Sequence, residues 1–343
     1  MYKYYRRTSV PEDIANSGEE DTTSIDVEHD VGNEDERSSV NKTTNSSNDS
    51  RNGTSNSSDR NRSRQNSMNR EETTLILSGA GANITYELGA AAYLQKYTKL
   101  NRIVGCSAGS IIGLAMAMGW DLDDLASALI RNIGDTKAYD GSLIMACYNL
   151  TQCGHMFETD IRHKFLDVVM GDDNQELTFG QLDFDLNIVA TNYITGITTL
   201  FNKTLTPDVN LVQAVLASTS IPILCPPVVI DDEEYVDGGF NHDYPWQFAD
   251  PTTSLGIYVI VPPLPKTGAK NTLYEILKKT IFVTKRSLSN FNTIPQPWLH
   301  KTIICDVDYD NNSNIFNIVT VDMFNANFEY GKMSTRKFLF EYE

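Results

Sequence analysis

From residue 71 onward, short apolar runs alternate with glycine-rich breaks and with segments of helical periodicity. TLILS, residues 74–78, is followed by Gly79, Ala80 and Gly81, which predicts a buried strand running into a tight turn. A helical segment follows over about 85–97, then RIVG predicts a second strand, GCSAGS a turn, and SIIGLAMAMGW a buried helix. Strand, turn, helix repeated twice is the pattern of parallel βαβ units. Farther along, 185–191 and 198–201 read as strands divided by a turn at Gly196, and VNLVQAVLAST from Val209 reads as a helix. IPILCPPVVI carries three prolines, which bars a long helix and predicts an extended segment or edge strand. LGIYVIV (255–261) and TIICDVD near residue 304 are further apolar strands, with the glycine turn of YVDGG before them.

Before residue 71 the pattern is lost. Between Ser38 and Asn69, 18 of 32 positions are Ser or Asn, and only Val40 and Met68 are apolar. Such a segment buries too little hydrocarbon to offset its conformational entropy, so 1–70 is expected to be a disordered tail and 71–343 the folded domain. The net charge is −17, of which the first 70 residues hold −3 (10 basic, 13 acidic) and the rest −14. An acidic body argues against nucleic acid as a partner. The exception is Lys266 to Arg286, where six basic residues face one acidic residue, Glu275.

Five cysteines (106, 147, 153, 225 and 305) form no CxxC pair, which fits a reducing compartment and leaves no zinc-site spacing. No metal and no organic cofactor is expected. The N-terminus has no apolar core of a secretory signal. Residues 103–120 are 18 uncharged positions, the minimum for a membrane span, but four glycines and two serines among them predict a buried helix instead. The expected location is cytoplasmic, with visits to membranes as a peripheral protein.

The candidate chemistry lies in GCSAGS. Gly105-x-Ser107-x-Gly109 follows a strand and precedes a helix, which is the context in which a serine is exposed on a strained turn. The flanking glycines remove Cβ atoms that would clash, and the helix N-terminus offers unsatisfied N–H groups to a developing oxyanion. The motif alone is weak: at these Gly and Ser frequencies it arises by chance in roughly one such chain in ten. A nucleophilic serine needs a base. One choice is a Ser–Asp–His order using Ser107, Asp237 and either His300 or His242, and the other is Asp237 itself, on the YVDGG turn. His155 and His163 have ordinary helix-surface or core readings.

Four stretches in order, LSGAGANITYELGAAAYL (77–94), IVGCSAGSI (103–111), ASTSIPILCPPVVI (217–230) and YVDGG (235–239), resemble the patatin-like phospholipases. The resemblance covers about 73–250 well and 251–343 more loosely. It implies a three-layer α/β/α sandwich with a mostly parallel central sheet. It implies a Ser–Asp dyad without histidine, with Ser107 the nucleophile and Asp237 the base, framed by Gly105, Gly109, Gly238 and Gly239. The oxyanion hole would come from the N–H groups of Gly79, Ala80, Gly81 and Ala108. The implied activity is phospholipase A-type hydrolysis of a membrane phospholipid or other acyl lipid. Three departures stand in the loop: Ala80 replaces the middle glycine, Asn83 the usual Arg or Lys, and Ile84 the glycine after it, which leaves a catalytically weakened patatin-like protein that binds lipid or protein as the alternative. Ala80 is compatible with a main-chain oxyanion hole only if its φ is negative.

The segment 271–291 places Leu273, Ile276, Leu277 and Ile281 at helical spacing beside Lys278, Lys279, Lys285 and Arg286. It reads as a surface helix docked on the body, with transient contact to an anionic membrane as the alternative.

Overall fold

The apolar run Thr73–Leu77 is strand β1, and it lies inside an eight-stranded sheet. The computed structural model describes residues 73–133, 143–157, 161–260, 276, 279–281, 283–284, 294–307 and 320–340. All of them fall in the second of the chain's two units, Ser55–Glu343. The expected tail 1–70 lies outside the described residues, as does most of 271–291.

The other strands are β2 (Leu100–Cys106), β3 (Asp185–Asn192), β4 (Thr198–Asn202), β5 (Val228–Ile230), β6 (Glu233–Asp237), β7 (Ser254–Ile260) and β8 (Thr302–Asp306). Their order is β5-β6-β3-β2-β1-β7-β8, with β4 also paired to β3. The five strands from β3 to β8 are parallel, whereas β4 and β6 run antiparallel to β3 and β5 runs antiparallel to β6. The strands match the expected runs to within one or two residues. In the proline-rich stretch only Val228–Ile230 is a strand, and it lies at the sheet edge.

Helices among the described residues include α1 (Ile84–Gln95), α2 (Ala108–Ala117), α3 (Leu122–Ile133), α4 (Leu143–Cys153), α5 (Ile161–Met170), α6 (Leu211–Ser218), α7 (Gly239–His242) and α8 (Val321–Phe340). Side chains alternate across the sheet, and the two faces are filled differently. Leu75, Leu77, Ile103, Leu186, Ile188, Val259 and Ile303 join one large core with α1, α2 and α6, against which α3, α5 and α8 pack. Ile76 and Tyr258 point the other way, into a smaller cluster with Tyr244, Ile294 and Trp298, while Val104, Cys106 and Val189 meet Leu200 and Phe248. Among the described residues this second face is covered by α7 and the short turns Trp246–Phe248 and Gln296–Trp298. The result is a three-layer α/β/α arrangement.

The run 103–120 becomes the end of β2 and the buried helix α2, and no helix among the described residues is long and apolar enough to cross a membrane. Close packing docks the last helix. A Cβ on Gly89 of α1 would lie 1.9 Å from the Phe328 carbonyl oxygen, and one on Gly331 of α8 would lie 2.0 Å from the Tyr86 carbonyl oxygen. Asp123 of α3 then clips both neighbours, taking Lys96 at 2.5 Å and Lys332 at 2.9 Å.

One junction positions the site. β2 pairs with β3 up to Cys106↔Val189, and β6 pairs with the same strand from Ala190↔Asp237 onward. β4 already occupies Ala190 and Thr191 from one side, so β6 takes the edge along which β2 runs. The C-terminal ends of β2 and β6 therefore meet head-on, and Ser107 and Asp237 stand at the meeting point.

Candidate active site

Ser107 follows β2 directly and caps α2 with φ 50° and ψ −123°, a conformation that L side chains rarely adopt. Such a backbone costs about 1–3 kcal/mol and survives only where the surroundings enforce it. Here they do. Its carbonyl accepts from the Ser110 N–H (2.9 Å) and the Ser110 hydroxyl (2.6 Å), and its N–H donates to Ser218 Oγ at 2.9 Å. The flanking glycines serve close approach. A Cβ on Gly105 would lie 2.7 Å from the Gly109 carbonyl oxygen, and one on Gly109 would lie 2.6–2.7 Å from the backbone and Cβ of Leu77.

The Ser107 hydroxyl donates to Asp237 Oδ2 at 2.7 Å. Ser107 is 4% exposed and Asp237 is fully buried. The other carboxylate oxygen, Oδ1, accepts the Gly239 N–H at 2.7 Å, which fixes the carboxylate plane. Gly238 is required by space, because a Cβ there would lie 2.2 Å from the Val189 carbonyl oxygen.

The stretch after α6 rivets these parts together. Ser218 Oγ accepts from Ser107 N and donates to the Val189 carbonyl at 2.6 Å, while the Ser218 carbonyl accepts the Gly238 N–H at 3.2 Å. The Ser220 carbonyl accepts the Asp237 N–H at 2.8 Å, and the Ser220 hydroxyl donates to the Pro226 carbonyl. The sequence showed ASTSIP as a motif without a role. It ties the Ser107 turn and the Asp237 turn to the same strand.

The glycine-rich loop packs against the start of α2. Gly109 N donates to the Ser78 carbonyl at 3.1 Å. Ala80 has φ −112°, so it fits without strain, and the positive φ of the loop falls at Gly81 (56°). The Gly79 N–H differs from expectation: it donates to the Asp243 carbonyl at 2.7 Å. Of the four N–H groups expected as donors, Gly79 is therefore engaged within the fold.

Two features here were invisible in sequence. Glu87, buried on α1, accepts the Ser78 N–H at 2.6 Å and the Ser78 hydroxyl at 3.3 Å, and Ser78 Oγ in turn accepts from Val259 N at 3.1 Å. Burial pushes the Glu87 carboxyl well above the usual carboxylate range, opposed by the Ser78 hydrogen bonds and reinforced by the nearby charge of Asp243. Asn83 Nδ2, Thr85 Oγ1 and Glu87 Oε2 are buried and have no hydrogen-bond partner among the described residues. A lone Glu at the fourth helical position carries no sequence signal for this role, since only the fold brings Ser78 over it.

The histidines fall elsewhere. His300 is exposed and precedes β8, so it stands at the opposite end of the parallel strands from Ser107. His242 ends α7, where its ring packs edge-on to Phe248 at 5.3 Å; burial lowers its pKa, partly countered by Gln247. No group of three His, Cys, Asp or Glu that could hold a metal ion occurs among the described residues. Of 271–291, Ile281 is buried against Met156, Leu224 and Cys225, while Ile276 and Val283 are exposed.

Residues 75–250 match the family profile of the patatin-like phospholipases. Two viral relatives are each 26% identical. An uncharacterized protein of Acanthamoeba polyphaga mimivirus aligns over 258 residues, 71% of this chain and 86% of the relative. A probable lipid hydrolase of Invertebrate iridescent virus 6 aligns over 189 residues, 51% of this chain and 62% of the relative. Among solved structures, VipD from Legionella pneumophila superimposes with a TM-score of 0.46 at 16% identity, covering 78% of this chain and 67% of that one.

Proposed function

The chain belongs to the patatin-like phospholipase family, and on that premise we propose that it is a serine-dependent acyl hydrolase cleaving glycerophospholipid esters in the phospholipase A manner. The observation that carries the proposal is the Ser107 Oγ to Asp237 Oδ2 hydrogen bond of 2.7 Å, made from a serine held at φ 50° at the mouth of a helix.

Ser107 Oγ attacks the ester carbonyl while its proton passes to Asp237 Oδ2. The tetrahedral oxyanion is met by the N–H groups of Ala80, Gly81 and Ala108, aided by the positive end of α2. Collapse breaks the C–O bond of the ester, and the departing alkoxide takes the proton from Asp237. Water, deprotonated by the same carboxylate, then attacks the acyl-enzyme, releasing the fatty acid and returning the proton to Ser107. The buried Nδ2 of Asn83 supplies a neutral donor where the family resemblance leads one to expect a cation, so anion stabilisation in this chain rests on amide dipoles.

The direct serine–carboxylate contact supports a dyad over a triad, since no imidazole stands between the two groups and His300 lies across the sheet. The test is release of fatty acid from mixed phospholipid vesicles with calcium chelated, comparing the unmodified protein with Ser107→Ala, Asp237→Asn, His242→Ala and His300→Ala. Loss in the first two and turnover in the last two is the expected result. Loss in a histidine variant would overturn the dyad, and no release by the unmodified protein from any lipid would overturn the activity.

A further inference from the structure

The turn between β3 and β4 is built of Tyr193, Ile194, Thr195, Gly196 and Ile197, with no charge among them. Tyr193 is 47% exposed, Ile194 75% and Ile197 65%. Val229 of β5, 58% exposed, adjoins them, because Tyr193 N donates to the Glu234 carbonyl at 2.7 Å and Glu234 is the register partner of Val229. Exposed apolar side chains grouped this closely mark an interaction surface, whereas single ones do not.

The tip is not loose. Asn192 Oδ1 accepts from Ile194 N (3.1 Å), Thr195 N (2.9 Å) and the Thr195 hydroxyl (3.0 Å), and the Asn192 carbonyl accepts Gly196 N at 2.9 Å. From the catalytic side, Asn241 Nδ2 donates to the Gly196 carbonyl at 2.8 Å and to Thr198 Oγ1 at 3.2 Å. Asn241 sits in α7, which begins two residues after Asp237. Tip and carboxylate thus belong to one braced body.

We propose that this tip is the membrane-docking element of the protein, and that its partner is the surface of a zwitterionic phospholipid bilayer. The inference rests on the lipid-hydrolase reading and adds how the dyad meets its substrate. Its first support is place. Ala190 is opposite Asp237, and at about 3.3 Å per residue Asn192 lies about 7 Å beyond it, with the apolar tip beyond that. Apolar elements at a membrane interface sink about 5–10 Å into the headgroup and acyl boundary. A seated tip therefore brings the dyad's end of the sheet to within about a headgroup layer of the lipids. The second support is charge. The tip is neutral, but Asp231, Asp232, Glu233 and Glu234 lie beside it at the same end of the sheet, since β6 runs antiparallel to β3. An anionic bilayer would be repelled by that acidic turn, and a zwitterionic one would not. Tyr193, with an apolar ring and a polar hydroxyl, suits the boundary between them.

The experiment uses the full chain carrying Ser107→Ala, which cannot consume the lipid, in flotation with phosphatidylcholine vesicles. The expected result is binding that falls at least about tenfold on adding Ile194→Ser and Ile197→Ser, as loss of two inserted side chains predicts. Replacing part of the phosphatidylcholine with phosphatidylglycerol should weaken binding at low salt. In the active protein, the same pair of substitutions should cut vesicle hydrolysis to a similar degree and leave turnover of a soluble short-chain ester within about twofold. Unchanged flotation, stronger binding to anionic vesicles, or equal loss on the soluble ester would overturn the proposal. A change of oligomeric state on substitution would overturn it too, since a second copy would then be what covers the tip. If the unmodified protein turns over neither substrate yet floats through its tip, the hydrolase reading fails while docking stands.

Discussion

The hydroxyls and the carboxylate that hold Ser107 and Asp237 in place all find partners within the fold, whereas three side chains along the glycine-rich loop and the start of α1 do not. Ser107, Ser110, Ser218, Ser220 and Asp237 each find a partner for hydroxyl or carboxylate. Asn83, Thr85 and Glu87 each keep a buried polar atom without one among the described residues. A buried unsatisfied group costs about 1–3 kcal/mol, a cost that these three loop-side groups hold and the five side chains around Ser107 and Asp237 do not. The difference teaches where rigidity resides: the Ser107–Asp237 pair is held in place by hydrogen bonds from several elements, and the loop half keeps unmet hydrogen-bonding capacity.

The sharpest way to break this comparison is at the dyad. Ser107→Ala should reduce fatty-acid release to background and Asp237→Asn should lower kcat about a thousandfold or more, in keeping with removal of a nucleophile or its base. Next, Gly238→Ala should destabilise the fold by at least about 1–3 kcal/mol in urea unfolding, because the new Cβ would overlap the Val189 carbonyl in a packed junction. Ser218→Ala removes one hydroxyl that serves both Ser107 and Val189. It should cost about 1–3 kcal/mol and at least about tenfold in kcat, with KM little changed.

The loop half should respond more mildly. The Glu87 carboxyl has a raised folded-state pKa, so its stabilising contribution is fully present below the ordinary carboxylate range. That contribution is lost as pH rises through the folded value. Glu87→Gln should therefore keep activity at neutral pH and show a shallower fall of Tm from mildly acidic to alkaline pH than the unmodified protein. Smallest of all, Ala80→Gly should leave kcat within about threefold and cost about 0.5–1 kcal/mol, since φ −112° asks nothing of glycine and glycine loses more chain entropy on folding. A large gain in activity would show that Ala80 obstructs the hole after all.

Much of the sheet was legible because apolar runs end on glycines, as at Thr73–Leu77 before Gly79 and at Ile103 and Val104 before Gly105. The region 121–170 was not assigned, although Leu122, Leu125, Ala126 and Leu129 repeat at helical spacing in α3 and are buried. Ser218 and Ser220 could be noticed but not interpreted, because their partners Val189, Ser107 and Asp237 are distant in the chain. Glu87 could not be noticed, since a glutamate in a helix reads as a solvated face until burial is known.

By itself the sequence determined most of the strands, the helices that follow the two glycine turns and the one from Val209, the glycine-framed serine, the Asp-Gly-Gly turn and the family to which these motifs belong, all of them matters of short-range sterics and periodicity. Only the tertiary structure decided that Ser107 and Asp237, 130 residues apart, share a hydrogen bond. The physical reason lies in β3, whose one edge carries β2 as far as Val189 and antiparallel β6 beyond it, so that two strand ends are forced to face each other. The same strand, continued past that point, ends in the exposed turn of Tyr193, Ile194 and Ile197, and no local pattern tells that this turn and the dyad share one end of the sheet.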